Sequence, residues 1–300
     1  MTITSEAPAR AATGNLDRDV GRLVVSCMDR PGIVARISTF LHRQGGNIIQ
    51  SDQYSTGASG GRFFLRVEFH LPGLADMLGE LERAFASQVA SAIGATFRLR
   101  EAAAVTRAAV FVSRYDHCLL DLLWRSQRGE LPMTIVQVVS NHPDLAAQAA
   151  FFGVPFQHIP VTRDAKRQAE ESQLSLLRGR ADLVVLARYM QILSSGFLDR
   201  VGVPVINIHH SFLPAFAGAG PYERAKDRGV KLIGATAHYA TEDLDEGPII
   251  EQDVVRVSHR ASVGELARQG ADIERTVLSR AVRWHCEDRV LVDGRTTIVF

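Results

Sequence analysis

The sequence predicts an α/β protein in two parts, a compact βαββαβ unit followed by an open, mostly parallel sheet. Three observations carry this expectation. Apolar periodicity switches between strand and helix spacing in the order β, α, β, β, α, β over about 80 residues. An Ala-rich link after Glu101 then separates that block from a run of short, continuously apolar strands with helical stretches between them. Strands of that kind, alternating with helices, belong to a parallel sheet covered on both faces.

In the first block "RLVVSC" reads as a strand, and Asp29 is expected to cap a helix whose first turn holds Pro31. Ile33, Ile37, Phe40 and Leu41 recur at helical spacing until Gly45-Gly46 stops the helix. "NIIQSDQYS" and "RFFLRVEFH" form two more strands around a Gly-rich turn at 57–61. A second helix is expected over 75–91 and a last strand at "TFRLRE". This order is the ferredoxin-like arrangement. In the second part "RAAVFVS", "TIVQVVS", "ADLVVLA" and "VPVINI" are the parallel strands, with helices near 144–152 and 163–178. "LIGATAHYA" and "GPIIEQDVVRV" form a long β pair, a helix spans 262–287, and Asp293-Gly294 turns a final hairpin. The expected boundaries are a disordered leader at 1–19, a first domain at 20–101 and a second at 102–300.

Composition excludes several function classes. The chain has 300 residues, 46% hydrophobic and 22% charged, with a net charge of +1. A nearly neutral protein has no bulk electrostatic attraction for nucleic acid or an anionic membrane. Cys27, Cys118 and Cys286 are scattered and odd in number, which fits a reducing compartment and no disulfide framework. No apolar run approaches the roughly 18 residues that cross a bilayer, so a cytoplasmic, soluble protein is expected.

In an open α/β sheet, ligands bind outside the carboxyl ends of the strands. The strand "PVINI" ends there at "HHS". Side chains alternate along a strand, so Asn207 and His209 share one side, and His210 takes the other if the extended conformation lasts that far. Asn207 and His209 then make a pair of hydrogen-bond donor and base; a packed polar strand end is the alternative. The run "TEDLDEGPII" concentrates Glu242, Asp243, Asp245 and Glu246 in a turn closed by Gly247-Pro248. It reads as a solvated acidic turn; a metal site is the alternative, but no ligand spacing supports one. The strand-to-helix turn "FVSRYDHCLLDLL" has no glycine between 113 and 123, so a backbone phosphate cradle is not expected there. His117 either faces the crevice or caps its helix. Leu213-Pro214 reads as a shaped turn that is cis or trans.

"INIHHSFLPAF" followed by "GVKLIGATAHYATEDLDEGPIIEQD" resembles the core of the folate-dependent formyltransferases. The resemblance implies a Rossmann-like domain in which Asn207, His209 and, 36 positions later, Asp245 handle the formyl group of 10-formyltetrahydrofolate. It implies substrate contacts from Arg188, Tyr189, Met190, Ile192 and Leu193 on one side of the pterin. Thr241, Glu242 and Leu244 would lie on the other side, with His117 nearby. "DRPGIVARISTFLHRQGGNI" resembles an ACT domain, which implies homo-oligomer pairing and an amino-acid effector at Asp29, Gly32 and Asn47, or a purely structural module. The two together resemble the deformylase branch of the family, whose formyl acceptor is water and which needs no cofactor or metal. A formyltransferase acting on an amine is the alternative. Which of His209 and Asp245 is the base stays open, because a coupled pair titrates jointly.

Overall fold

A computed structural model describes residues 17–58, 60–214 and 220–300. It divides the chain into two compact units, one ending at Ala104 and the other running from Val105 to Val299. Most of the expected leader lies outside the described residues. Its last three residues, Asp17–Asp19, form a short 3-10 turn tied to the first unit, where Asp19 accepts from the backbone N–H groups of Leu71 and Gly73.

The first unit contains β1 (Val20–Met28), α1 (Ile33–Arg43), β2 (Asn47–Ser55), β3 (Arg62–His70), α2 (Leu74–Phe85) and β4 (Thr96–Glu101). The helix after β3 is longer than its apolar pattern predicts. It continues through a π-helical turn at Ala86–Ala90 into α3 (Ser91–Ile93). The strand order β2-β3-β1-β4, antiparallel throughout, is that of the ferredoxin-like fold. Asp29 does not cap α1. The N-cap is Gly32 at φ 91°, and Asp29 instead accepts from Ser55 Oγ at 2.5 Å, because the chain there still runs beside β3, with the Asp29 N–H donating to the Gly61 carbonyl.

The second unit contains β5 (Thr106–Val112), α4 (His117–Gln127), β6 (Met133–Ser140), α5 (Ala146–Phe151), β7 (Phe156–His158), α6 (Lys166–Leu177), β8 (Leu183–Leu186), α7 (Ser195–Val201) and β9 (Val205–His209). After these come α8 (Pro221–Asp227), β10 (Leu232–Tyr239), β11 (Ile249–Arg256), α9 (Val263–Cys286) and the hairpin β12 (Val290–Asp293) and β13 (Thr296–Val299). The seven-stranded sheet has the order β11-β10-β9-β8-β5-β6-β7; β5 to β9 are parallel, and β10 and β11 run antiparallel. The short strand β7 carries no apolar run and escaped the sequence pattern.

Alternation along the central strands feeds two cores. Ala108, Val110 and Val112 of β5, with Leu183 and Val185 of β8, face one side. Ala109, Phe111, Val184 and Leu186 face the other. Each large side chain buried in this way contributes about 1.5–3 kcal/mol. Burial on both faces is why these strands read as continuous apolar runs. Among the described residues, no helix is long and apolar enough to cross a membrane.

The long helix α9 covers the first of these cores. Its N-cap Ser262 and Glu265 close a reciprocal capping box. Its inward stripe runs Leu266, Gly270, Glu274, Val277, Leu278, Ala281 and Val282. Gly270 admits Tyr222 of α8, since a Cβ there would sit 1.9 Å from the phenol oxygen. Tyr222 passes through that gap and donates to Glu274 at 2.6 Å. Gly270→Ala is therefore expected to displace Tyr222 and lower stability by about 2 kcal/mol despite its better helix propensity. A lower urea midpoint with an unchanged slope would register it.

Candidate active site

The site is assembled where the parallel part of the sheet meets its antiparallel edge. β9 pairs with β10 so that Asn207 lies opposite His238 and His209 opposite Thr236. Asn207 and His238 therefore share a face at the end of two adjacent strands. His238 Nδ1 lies 3.0 Å from the Tyr239 carbonyl oxygen, which only accepts, so Nδ1 carries the proton. Nε2 then holds a lone pair and accepts from Asn207 Nδ2 at 3.1 Å. This fixes the Asn207 amide with its second N–H left over. Burial lowers the His238 pKa, which keeps the ring neutral and this bond in place.

Asp245 comes from the loop between β10 and β11. It adopts φ 59°, and the following tight return depends on Gly247, whose Cβ would fall 1.8 Å from the Tyr239 carbonyl oxygen. The loop brings Asp245 Oδ2 to 3.2 Å from His209 Nδ1 and Oδ1 to 3.8 Å from His238 Nε2. Burial acts to raise the Asp245 pKa. The hydrogen bond from His209 and the charges of His209, His238 and His210 outweigh it, so the carboxyl is held below its ordinary range. With Asp245 ionised, His209 Nδ1 is the donor. His209 is 6% exposed, and its buried Nε2 has no hydrogen-bond partner among the described residues.

The turn after β9 is fixed by Thr236, which is fully buried. Its hydroxyl donates to the Ser211 carbonyl and accepts from the Leu213 N–H and from Gln252. The Leu213-Pro214 peptide is cis. β9 ends at His209, so alternation does not carry His210 to the far side. Its ring centroid lies 5.2 Å from that of His209, and it too borders the cleft. Burial first, and the charge of Arg188 next, push the His210 pKa down to about 4, so the ring is neutral.

A cleft of about 220 Å³ opens over these groups. One wall is the segment from Arg188 to Leu193, the other the turn from Thr241 to Asp245, and Asn207, His209 and His238 form its floor. All the residues expected around a pterin except His117 border it. Ser113 secures the first wall, accepting from the Met190 N–H and donating to Asn141. Tyr189 contributes backbone only. Its ring packs edge-on against Phe111, its hydroxyl accepts from Gln173, and burial pushes its pKa up to about 12. His117 is a correction: α4 turns its Nε2 onto Glu274 at 2.8 Å, away from the cleft. In the first unit Gly32 borders a separate cavity with Arg36, Arg43 and Gln88, whereas Asp29 and Asn47 do not.

Sequence reasoning passed over His238 and Glu274. The signal for His238 was an imidazole at an inward position of a strand. For Glu274 it was a carboxylate in the apolar stripe of α9, where it is 1% exposed. Burial alone would raise the Glu274 pKa; bonds from His117 and Tyr222 and the charges of Arg188 and His117 lower it. His117, Cys118 and Glu274 present ligand atoms within 4.8 Å of one another. Arg188 Nε, 3.3 Å from the same carboxylate, already supplies a cation there.

Comparison with known proteins places this architecture. Residues 106–282 match the Formyl transferase family and residues 21–86 the ACT domain. A formyltetrahydrofolate deformylase of Mycobacterium bovis is 64% identical over 94% of this chain and 91% of its own. One of Bacillus subtilis is 51% identical over 95% of each chain. The crystal structure of a formyltetrahydrofolate deformylase from Pseudomonas syringae superimposes with a TM-score of 0.88 at 46% identity, covering 94% of both chains. A glycinamide ribonucleotide transformylase of Symbiobacterium toebii matches 65% of this chain and 94% of its own, with a TM-score of 0.61 at 30% identity. An N-terminal ACT domain joined to a formyltransferase domain, matched nearly end to end by these relatives, makes the chain a member of the formyltetrahydrofolate deformylase family.

Proposed function

We propose that the protein hydrolyses 10-formyltetrahydrofolate to tetrahydrofolate and formate. The observation that carries this reading is the floor of the cleft. There an amide N–H oriented by His238 and a buried imidazole paired with an ionised carboxylate line one cleft. The second N–H of Asn207 donates to the formyl oxygen as negative charge gathers on it. A donor aimed at a developing oxyanion is worth about 10²–10³ in kcat. Water attacks the formyl carbon and gives a proton to the His209–Asp245 pair. The tetrahedral intermediate then breaks its C–N10 bond as the pair returns that proton to N10, and formic acid leaves as formate. Positioned proton transfer of this kind contributes roughly 10²–10⁴. The folate brings the formyl group with it, so the reaction calls for no cofactor.

Incubation with 10-formyltetrahydrofolate alone, followed by measurement of formate and tetrahydrofolate, tests the reading. Stoichiometric formate from the wild type and its loss in His209→Ala are expected; a wild type that releases none would refute it. Asn207→Ala should lower kcat by about 10²-fold, with a much smaller change in folate binding. His238→Ala should reproduce part of that loss, because it frees the amide to rotate.

Asp245 also predicts a pH dependence of stability. Its folded pKa lies below the unfolded value of about 3.9, so its stabilisation is fully present above that value and is lost as pH falls through the folded pKa. Thermal melts between pH 6 and pH 3 should show wild type more stable than Asp245→Asn at the upper end, with the gap closing below about pH 4. A gap that stays constant over that range would contradict the assignment.

A further inference from the structure

Beside His210 lies a set of charged and aromatic side chains that the hydrolysis above does not use, and one of them, Arg188, also borders the cleft. Tyr222 and His117 both bond to Glu274, at 2.6 and 2.8 Å, and Arg188 Nε lies 3.3 Å from it. The Arg188 guanidinium sits 4.8 Å over the Tyr115 ring, and that ring faces His117. The Tyr222 ring in turn packs 6.1 Å from that of His210. Four elements meet here: the turn from β5 into α4, the end of β8, α8 and α9.

Stability does not account for this cluster. Burying an Arg–Glu pair costs about as much desolvation as its attraction returns, and apolar side chains of similar volume would serve as well. Arg188 is also strained. It is one of three non-glycine residues with a left-handed backbone among the described residues, at φ 63°, a conformation that side chains with a Cβ disfavour. Its Nε and Nη1 are buried and have no hydrogen-bond partner among the described residues, the Glu274 contact being an ion pair. Strain and desolvation together place a bulky cation at the carboxyl end of the strands, where a doubly wound sheet would otherwise admit a second ligand. The same domain fold serves the glycinamide ribonucleotide transformylase of Symbiobacterium toebii, and glycinamide carries a primary amine.

We infer that Arg188 and Glu274, braced by His117 and Tyr222, form a plug that closes the acceptor side of the site to amines and leaves water to reach the formyl carbon. The inference rests on the hydrolytic reading given above. Opening the plug admits a small amine nucleophile. The amine nitrogen then bonds to the formyl carbon, the C–N10 bond breaks, and one amine proton ends on N10. Arg188→Gly is the natural opening, because glycine removes the side chain and accepts the left-handed backbone without strain. Arg188→Lys keeps a long cation in place.

The test supplies the full-length protein with 10-formyltetrahydrofolate, with and without hydroxylamine, and measures the ratio of formohydroxamate to formate. Wild type and Arg188→Lys should stay at the non-enzymatic background, while Arg188→Gly raises the ratio about tenfold or more. Glu274→Ala opens the same space from α9 and should act in the same direction. An unchanged ratio in both opened variants would overturn the plug, as would a wild type that already formylates hydroxylamine. Folded variants that bind folate but turn over nothing would make the pair part of the catalytic machinery, and variants that fail to fold would make it structural; either result overturns the inference. Wild type that releases no formate without amine would instead defeat the hydrolytic reading itself, so the two failures are separable.

Discussion

The pairing of β9 with β10 is the interaction on which the site depends. It joins the last parallel strand to an antiparallel edge, so the chain leaves one strand at His209 and returns along its neighbour. The register puts His238 across from Asn207, and the loop after β10 swings Asp245 over the β9 end. Side chains alternate with period two, so a slip of one residue would turn Asn207 and His209 away from the cleft together. Both cores of the sheet would be inverted by the same slip. Packing energy from many apolar residues thus holds this register, and the polar groups need not hold it themselves.

Around that register the protein spends stability locally. Arg188 and Asp245 border the cleft with left-handed backbones, and His209 and Arg188 keep buried nitrogens without hydrogen-bond partners among the described residues. Unsatisfied buried polar atoms cost about 1–3 kcal/mol each, and the surrounding cores supply many times that amount. The electrostatics follow from position. Asp245 stays ionised because imidazoles surround it. His238 and His210 stay neutral because burial penalises their charge.

The cleft walls mix apolar and charged side chains, with Ile192, Leu193 and Leu244 beside Arg188, Glu242 and Asp245. Arg188 also reaches Glu274, which His117 and Tyr222 bond from two further elements. Gly270 contributes at a distance, since its missing side chain lets Tyr222 reach Glu274.

The sequence by itself determined both units and most of their strands and helices, because period-two and helical apolar patterns record which faces are buried. It also carried Asn207, His209 and Asp245, through strand alternation for the first two and a resemblance spanning most of the second unit for the third. Strand β7, too short for a pattern, and the π-helical turn at Ala86–Ala90 were settled by neighbours in space. So was the fate of polar residues whose partners lie far along the chain. Asp29 looked like a helix cap and bonds Ser55 instead; His117 looked like a crevice residue and serves Glu274, 157 positions away. Local pattern reports burial, which is a property of one residue and its face. A hydrogen bond between side chains needs two residues, and only the tertiary fold decided which pairs would meet.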